Sequence, residues 1–333
     1  MTSPRGRKFR TSSTSRILTL ARHEYRSAAR SRVLTLLALS MVLIAAVSII
    51  IASYDFKAEL ASYKAYLEQA KAAGTTVAAA PQLFPLQLMR AVIEYIQIIG
   101  AVIAIGLGYL TIARERSGNT LRLILTRPVS ARDLFFGRLL GAGALITTIL
   151  ALTAVISVVL IGIVGGRWLN GSELVKLAIT FGMSILYMLM FYALGFWLTA
   201  RSKVLANGLV VALVVWLSIV LIIPQIGDTM DPDNQVPGGL FTALQVKKPD
   251  EKKVLAKFKT YEKVRNDLEE TSLTKHYERA SFAFTGIKDK YNGKSLGYIS
   301  NAKRKDFEWL AFYTLLLGVL MAAGLRRERT TRQ

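Results

Sequence analysis

The chain of 333 residues is 52% hydrophobic and 20% charged, against about 45–50% and about 25% in an ordinary soluble domain. The excess sits in uninterrupted runs of about 20 residues, the length with which a helix crosses about 30 Å of hydrocarbon, and this excludes a soluble enzyme. Cysteine is absent and histidine occurs twice, at His23 and His276, which removes disulfides, thiolate metal sites, cysteine nucleophiles, iron–sulfur clusters and multi-histidine centres. The net charge of +21 takes its meaning from where the charges lie.

The first dozen residues, rich in Arg, Ser and Thr, have the composition of a disordered tail. From about Thr14 a helical period begins. Ile17, Leu18, Leu20, Ala21, Tyr25 and Ala28 fall on one face, with Arg16, Arg22, Arg26 and Arg30 on the other. This predicts an amphipathic helix on the inner leaflet that turns into the first span. Apolar runs follow at 33–52, 91–113, 139–164, 174–200, 204–224 and 307–325. The first is long for a secretory signal and lacks a small-residue cleavage site, so it reads as a retained span.

The basic residues set the orientation. Segments 1–32, 114–138, 201–203 and 326–333 carry nine, six, two and four Lys/Arg, whereas 54–90 and 165–173 carry four and one. Both termini are therefore expected in the cytoplasm. Segment 225–306 then lies outside, and its 16 Lys/Arg are no obstacle, because long loops translocate largely regardless of charge. The fold expected is an all-α polytopic membrane protein of six transmembrane helices, with a small, mainly helical extracytoplasmic insertion between the fifth and sixth. The parts are a basic cytoplasmic N-terminus (1–32), helices one to five (33–224), the extracytoplasmic domain (225–306), helix six (307–325) and a cytoplasmic tail (326–333).

Between these runs, 57–73 has helical character and a break follows through Pro81 and Pro85. Gly100, Ala104 and Gly108 put small residues on one stripe of the second span, and Gly137 and Gly141 repeat that spacing in the third, where another helix can come close. Segment 228–239 is rich in turn residues. Val254, Phe258, Tyr261, Val264 and Leu268 form an apolar stripe among Lys and Glu that needs something to pack against.

Chemistry of its own is scarce. The spans hold almost no ionisable residues; Glu94 and Lys176 lie near outer ends, where snorkelling explains them. No buried acidic pair, intramembrane histidine or clustered nucleophile supports a proton-coupled transporter, a metalloprotease or a lipid-modifying enzyme. Asn292-Gly293-Lys294-Ser295 lacks the first glycine of a phosphate-binding loop, since Lys288 stands there. Asn170-Gly171-Ser172 is a glycosylation triplet of a kind that chance supplies often.

Segment 114–140 reads RERSGNTLRLILTRPVSARDLFFGRLL. Ser117-Gly118-Asn119 offers a cap, 120–126 a short apolar helix, Arg127-Pro128 a break, and Ser130-Ala131-Arg132-Asp133 has capping-box spacing. The result is a short stiff helix held crosswise between two spans. Leu121, Ile124 and Leu125 form its contact face, rimmed by Arg116, Arg122 and Arg127. Such an element can dock in a groove on a cytoplasmic partner and pass on its motion.

Glu115, Ser117-Gly118-Asn119-Thr120-Leu121, Leu125-Thr126-Arg127-Pro128-Val129-Ser130 and Gly137-Arg138-Leu139 resemble the first cytoplasmic loop of ABC-2-type permeases, the membrane subunits of ATP-binding-cassette exporters. That family shows a glutamate, a Gly-Thr-Leu helix, an apolar run, Pro-hydrophobic-Ser, and a glycine with a basic residue. Here Asn119 stands between Gly118 and Thr120, and Arg138 occupies the usual lysine position. The leading helix with Glu24, Tyr25 and Arg26 is also similar, and the resemblance covers 16–224 and 307–325.

It implies a non-enzymatic half-transporter of a prokaryotic plasma membrane. Two copies, or a copy and a paralogue, would form the path, and a separate cytoplasmic ABC ATPase would bind ATP and Mg. Coupling to it is assigned to Glu115, Asn119, Thr120, Leu121, Leu125 and Arg127, in a docking role. No cofactor, metal or nucleic acid is expected on this chain; its partners are the ATPase, the second permease, the bilayer and an extracytoplasmic protein at 225–306. The alternative is a non-transporting module that passes ATPase motion to an extracytoplasmic partner, such as a metalloenzyme maturation factor.

Overall fold

The computed structural model describes residues 13–72, 84–117, 130–229 and 270–330, with positions 260, 263, 264 and 267 between them. Nearly all of this is helix. We number the helices α1 (Ser13–Ala29), α2 (Arg32–Ala72), α3 (Pro85–Ser117), α4 (Ala131–Ile163), α5 (Gly171–Arg201), α6 (Leu205–Ile226), α7 (Leu273–Phe284), α8 (Leu296–Ala302) and α9 (Arg304–Thr330). Six of them, α2 to α6 and α9, are long and apolar enough to cross a membrane. On α2, Val33, Leu36, Leu39, Leu43, Val47 and Ile51 are exposed. Such a stripe would be a liability in water and suits hydrocarbon.

The helices start and stop where the sequence gives them reason to. Ser130 caps α4: its Oγ accepts from the Asp133 amide at 3.0 Å, and the Asp133 carboxylate accepts from the Ser130 amide at 3.3 Å. Asn170 and Glu173 form the same box on α5, at 2.9 and 2.8 Å. The glycosylation triplet thus has a structural role as a helix start. Ser295 caps α8, and Gly293 before it turns at φ +69°, so the lysine-bearing loop fragment is a turn into a helix. Helix α2 runs for 41 residues, about 60 Å. The first span and the helical stretch predicted after it are one rod as far as Ala72, because residues 32–72 contain neither glycine nor proline to divide them.

Helix α5 is the centre, packed against α3, α4, α6, α7 and α9. Small residues set its closest crossing. A Cβ added to Gly108 of α3 would lie 2.4 Å from the Tyr192 carbonyl, and one added to Gly195 of α5 would lie 2.6 Å from that of Ile105. The stripe through Gly100, Ala104 and Gly108 is a packing surface, as its spacing predicts. The Gly137–Gly141 stripe of α4 receives α1 instead. A Cβ on Gly137 would meet Leu20 Cβ at 2.5 Å, and one on Gly141 would meet the Ala21 carbonyl at 2.6 Å.

Two helices carry a π turn, Ile96–Gly100 in α3 and Ser218–Ile222 in α6. The second lies just ahead of Pro224, whose missing N–H and bulky ring disturb the carbonyl four residues back. The Tyr187 hydroxyl of α5 donates to the Gln97 carbonyl in the first turn at 2.9 Å. Thr274 of α7 donates to the Ile219 carbonyl in the second at 3.4 Å.

The described part of 225–306 folds back on the bundle. Nine residues of α7 are buried, among them Thr274, His276 and Ser281. Tyr277 bonds Ser184 at 2.7 Å and stacks on Tyr187 with ring centroids 4.4 Å apart. Burial pushes the Tyr277 phenol well above its ordinary pKa, so it stays a neutral hydrogen-bonding group. Of the predicted apolar stripe, Val264 is exposed, whereas Val254, Phe258, Tyr261 and Leu268 lie outside the described residues, as does Pro81.

Candidate functional site

The two ends of segment 114–138 meet inside the protein. Glu115, near the end of α3, and Arg138, in the second turn of α4, are 23 positions apart, and one guanidinium nitrogen donates to both carboxylate oxygens at 2.5 Å. Their side chains are 16% and 4% exposed. The Arg138 guanidinium also lies over the Phe196 ring of α5, 5.3 Å from its centroid. In such surroundings each charge depends on the other, because either alone would be an uncompensated buried ion.

Helix α1 adds a third arm. Glu24 is buried and accepts from the Thr111 hydroxyl of α3 at 2.6 Å. At its first turn, Ser13 donates to Asp133 at 2.5 Å and Arg16 lies 3.4 Å from the other oxygen of that carboxylate. Asp133 therefore caps α4 and anchors α1 at once. Between the three helices, next to Glu24, Thr111, Arg114, Glu115 and Arg138, is a cavity of about 60 Å³, room for a few waters among polar walls.

The face predicted for α1 is corrected in two places. Leu18 is 60% exposed, and Glu24 takes a place on the packed side. Ile17, Leu20, Ala21, Glu24 and Ala28 follow the helical period onto α4, and Leu18 sits off that line. Arg116 is likewise not a rim of the loop helix. It points back and donates to the carbonyls of Thr199, Ala200 and Ser202 at 3.2, 3.0 and 2.7 Å. A cation at the last carbonyls of α5 satisfies acceptors that the helix leaves open and complements its dipole.

Of the residues assigned to docking, the structure describes Glu115, whose carboxylate is turned inward to Arg138. Asn119, Thr120, Leu121, Leu125 and Arg127 lie outside the described residues. Sequence reasoning did not assign roles in the site to Glu24, Thr111 and Arg138. A signal existed for Glu24: a carboxylate on the apolar side of an amphipathic helix needs a donor nearby.

At the opposite end, Asp306 of α9 faces three basic groups. His276 Nδ1 is 2.7 Å from one oxygen, Lys303 Nζ is 3.2 Å from the other, and Arg279 is 3.8 Å away. The remaining ring nitrogen of His276 meets the Glu270 carbonyl at 2.7 Å. This cluster staples α7 to α9. Glu94 pairs with Arg90 at 3.1 Å and Lys176 donates to the Lys294 carbonyl at 2.9 Å, as befits charges near helix ends. Among the described residues no group of three or more His, Asp or Glu is arranged to hold a metal ion.

The described residues thus hold six helices suited to a membrane, an amphipathic helix clamped to them, and a buried ion pair that joins the end of α3 to the start of α4. None of the curated proteins compared with the chain matches it. A family model described as ABC-2 family transporter protein matches residues 18–327. That stretch runs from α1 into the last turn of α9, and the chain belongs to the ABC-2 transporter family, as a multi-pass membrane permease.

Proposed function

We propose that this permease is the membrane half of an ABC exporter, driven from outside its own chain. Two copies, or one copy and a paralogue, enclose the path. Segment 114–138 faces the cytoplasm, as do both termini, and rests on a separate ATPase that binds ATP and Mg. Asn119, Thr120, Leu121, Leu125 and Arg127 dock on it. Glu115 acts one step behind them, as a positioning residue.

The observation that carries this reading is the buried Glu115–Arg138 pair. It closes the base of the loop, so a push on residues 118–129 reaches α3 and α4 as one body. Glu24 and Asp133 extend that body to α1. A second reading is supported by α7. This buried helix bonds the π turn of α6 directly, and that of α3 by way of Tyr187, so bundle motion can also be handed to an extracytoplasmic protein at 225–306.

The test is purification from native membrane in mild detergent, with the ATPase activity that accompanies the chain measured for the wild type and for Leu121→Asp/Leu125→Asp. A nucleotide-binding subunit should co-purify with the wild type and be lost from the variant. No ATPase with either chain would refute the coupling assignment. Deleting 230–269 then separates the two readings, since export survives in part under the first and an effect on an external partner vanishes under the second.

A further inference from the structure

The end of the bundle at which α3 and α5 begin holds a cavity of about 500 Å³, and the reading above assigns it nothing. Its polar wall carries Arg167, Lys176 and Lys294 against one carboxylate, Glu173. That carboxylate is engaged, accepting from the Asn170 amide and lying 3.4 Å from Arg167. Lys176 places one of its three ammonium donors on the Lys294 carbonyl. Among the described residues, Lys176 and Lys294 have no carboxylate within ion-pairing distance. The lining also includes Phe84 and Leu296, both half-buried, which give it apolar surface.

The level of the cavity matters as much as its charge. It opens where two spans start, and Trp168, next to Arg167, is 61% exposed with its ring packed on Gly162. Tryptophan at a span terminus marks the boundary between hydrocarbon and headgroups. A surplus of cations beside apolar surface, at that depth, matches a molecule with a phosphate at one end and carbon at the other.

We propose that this cavity binds a phosphate-bearing anion, with Lys176, Lys294 and Arg167 on the phosphate and Phe84 and Leu296 against the carbon skeleton. The chemistry is met by the headgroup of an anionic phospholipid and, without the apolar contacts, by free phosphate. The inference is independent of the permease reading, since it needs neither the ATPase nor a cargo.

The test uses the full chain in detergent. Retained phosphatidylglycerol and phosphatidylcholine are measured by native mass spectrometry, and inorganic phosphate binding by calorimetry. Lys176→Gln/Lys294→Gln should lower phosphatidylglycerol retention at least about tenfold, since each lost contact is a charge-assisted hydrogen bond. Lys176→Arg/Lys294→Arg should preserve it, which separates loss of charge from loss of fold. Lys57→Gln/Lys64→Gln on α2, an equal change in net charge, should leave it unaltered. Phosphate binding that is lost in the Gln variant while neither lipid is retained would support the site with free phosphate as its ligand. Equal retention of phosphatidylglycerol and equal phosphate binding by native chain and Gln variant would overturn the proposal. So would an equal loss in the α2 control.

Discussion

Replacing Glu115 by Leu leaves the Arg138 guanidinium inside the protein without its carboxylate. The side chains are 16% and 4% exposed, so water can offset little of the loss. Breaking a pair of this kind from one side costs about 3–5 kcal/mol. Arg138→Leu should cost a similar amount, since it strands the carboxylate. In the double variant Glu115→Leu/Arg138→Leu both charges are gone, and replacing a buried pair by apolar residues is often close to neutral. The cycle should therefore show a coupling energy of at least about 2 kcal/mol. The measurement is SDS titration of the chain in mixed micelles, read by tryptophan emission. Additive losses, with coupling below about 0.5 kcal/mol, would mean that the two groups are independent and the loop base is not latched.

Two further outcomes follow from the same end of the molecule. Gly141→Val puts a branched side chain where the Ala21 carbonyl and Glu24 Cβ lie 2.6 Å from a bare Cβ position, so α1 should lift from α4. In this cysteine-free chain, Ala28→Cys reports it: maleimide labelling at that fully buried site should be slow alone and fast with Gly141→Val, and equal rates would count against the docking. Arg116→Ala removes three bonds to the end of α5 and should cost about 1–3 kcal/mol. Arg116→Lys should recover part of it, and an unchanged SDS midpoint in the alanine variant would show that water replaces the cap.

The spans are legible in the sequence because a bilayer imposes their length and leaves few alternatives. The capping box at Ser130 and the small-residue stripes are legible for a similar reason: each is a local requirement met by residues three or four apart. What the sequence hides is pairing across distance. Glu115 and Arg138 both stand in the stretch that resembles a family motif, but nothing in their spacing of 23 positions shows that they pair. Helix α7 is hidden differently. Its Thr274, His276 and Tyr277 look like a solvated face, and they are buried because each finds a partner on another helix. Helix α2 is undivided because a change in polarity does not end a helix when the residues beyond it are good helix formers.

A π turn is an α-helix with one residue too many. The stretch before Ile96–Gly100 is turned by about 100° relative to where an uninterrupted α3 would put it. Pro85–Tyr95 and Ala101–Ser117 therefore cannot share one helical wheel, and an apolar stripe drawn through both is misassigned on one side. The same holds across Ser218–Ile222 in α6. A relative without either extra residue would align to this chain with single-position gaps inside two spans. Those gaps are to be read as changes of rotation between the halves of a helix, and not as errors of alignment.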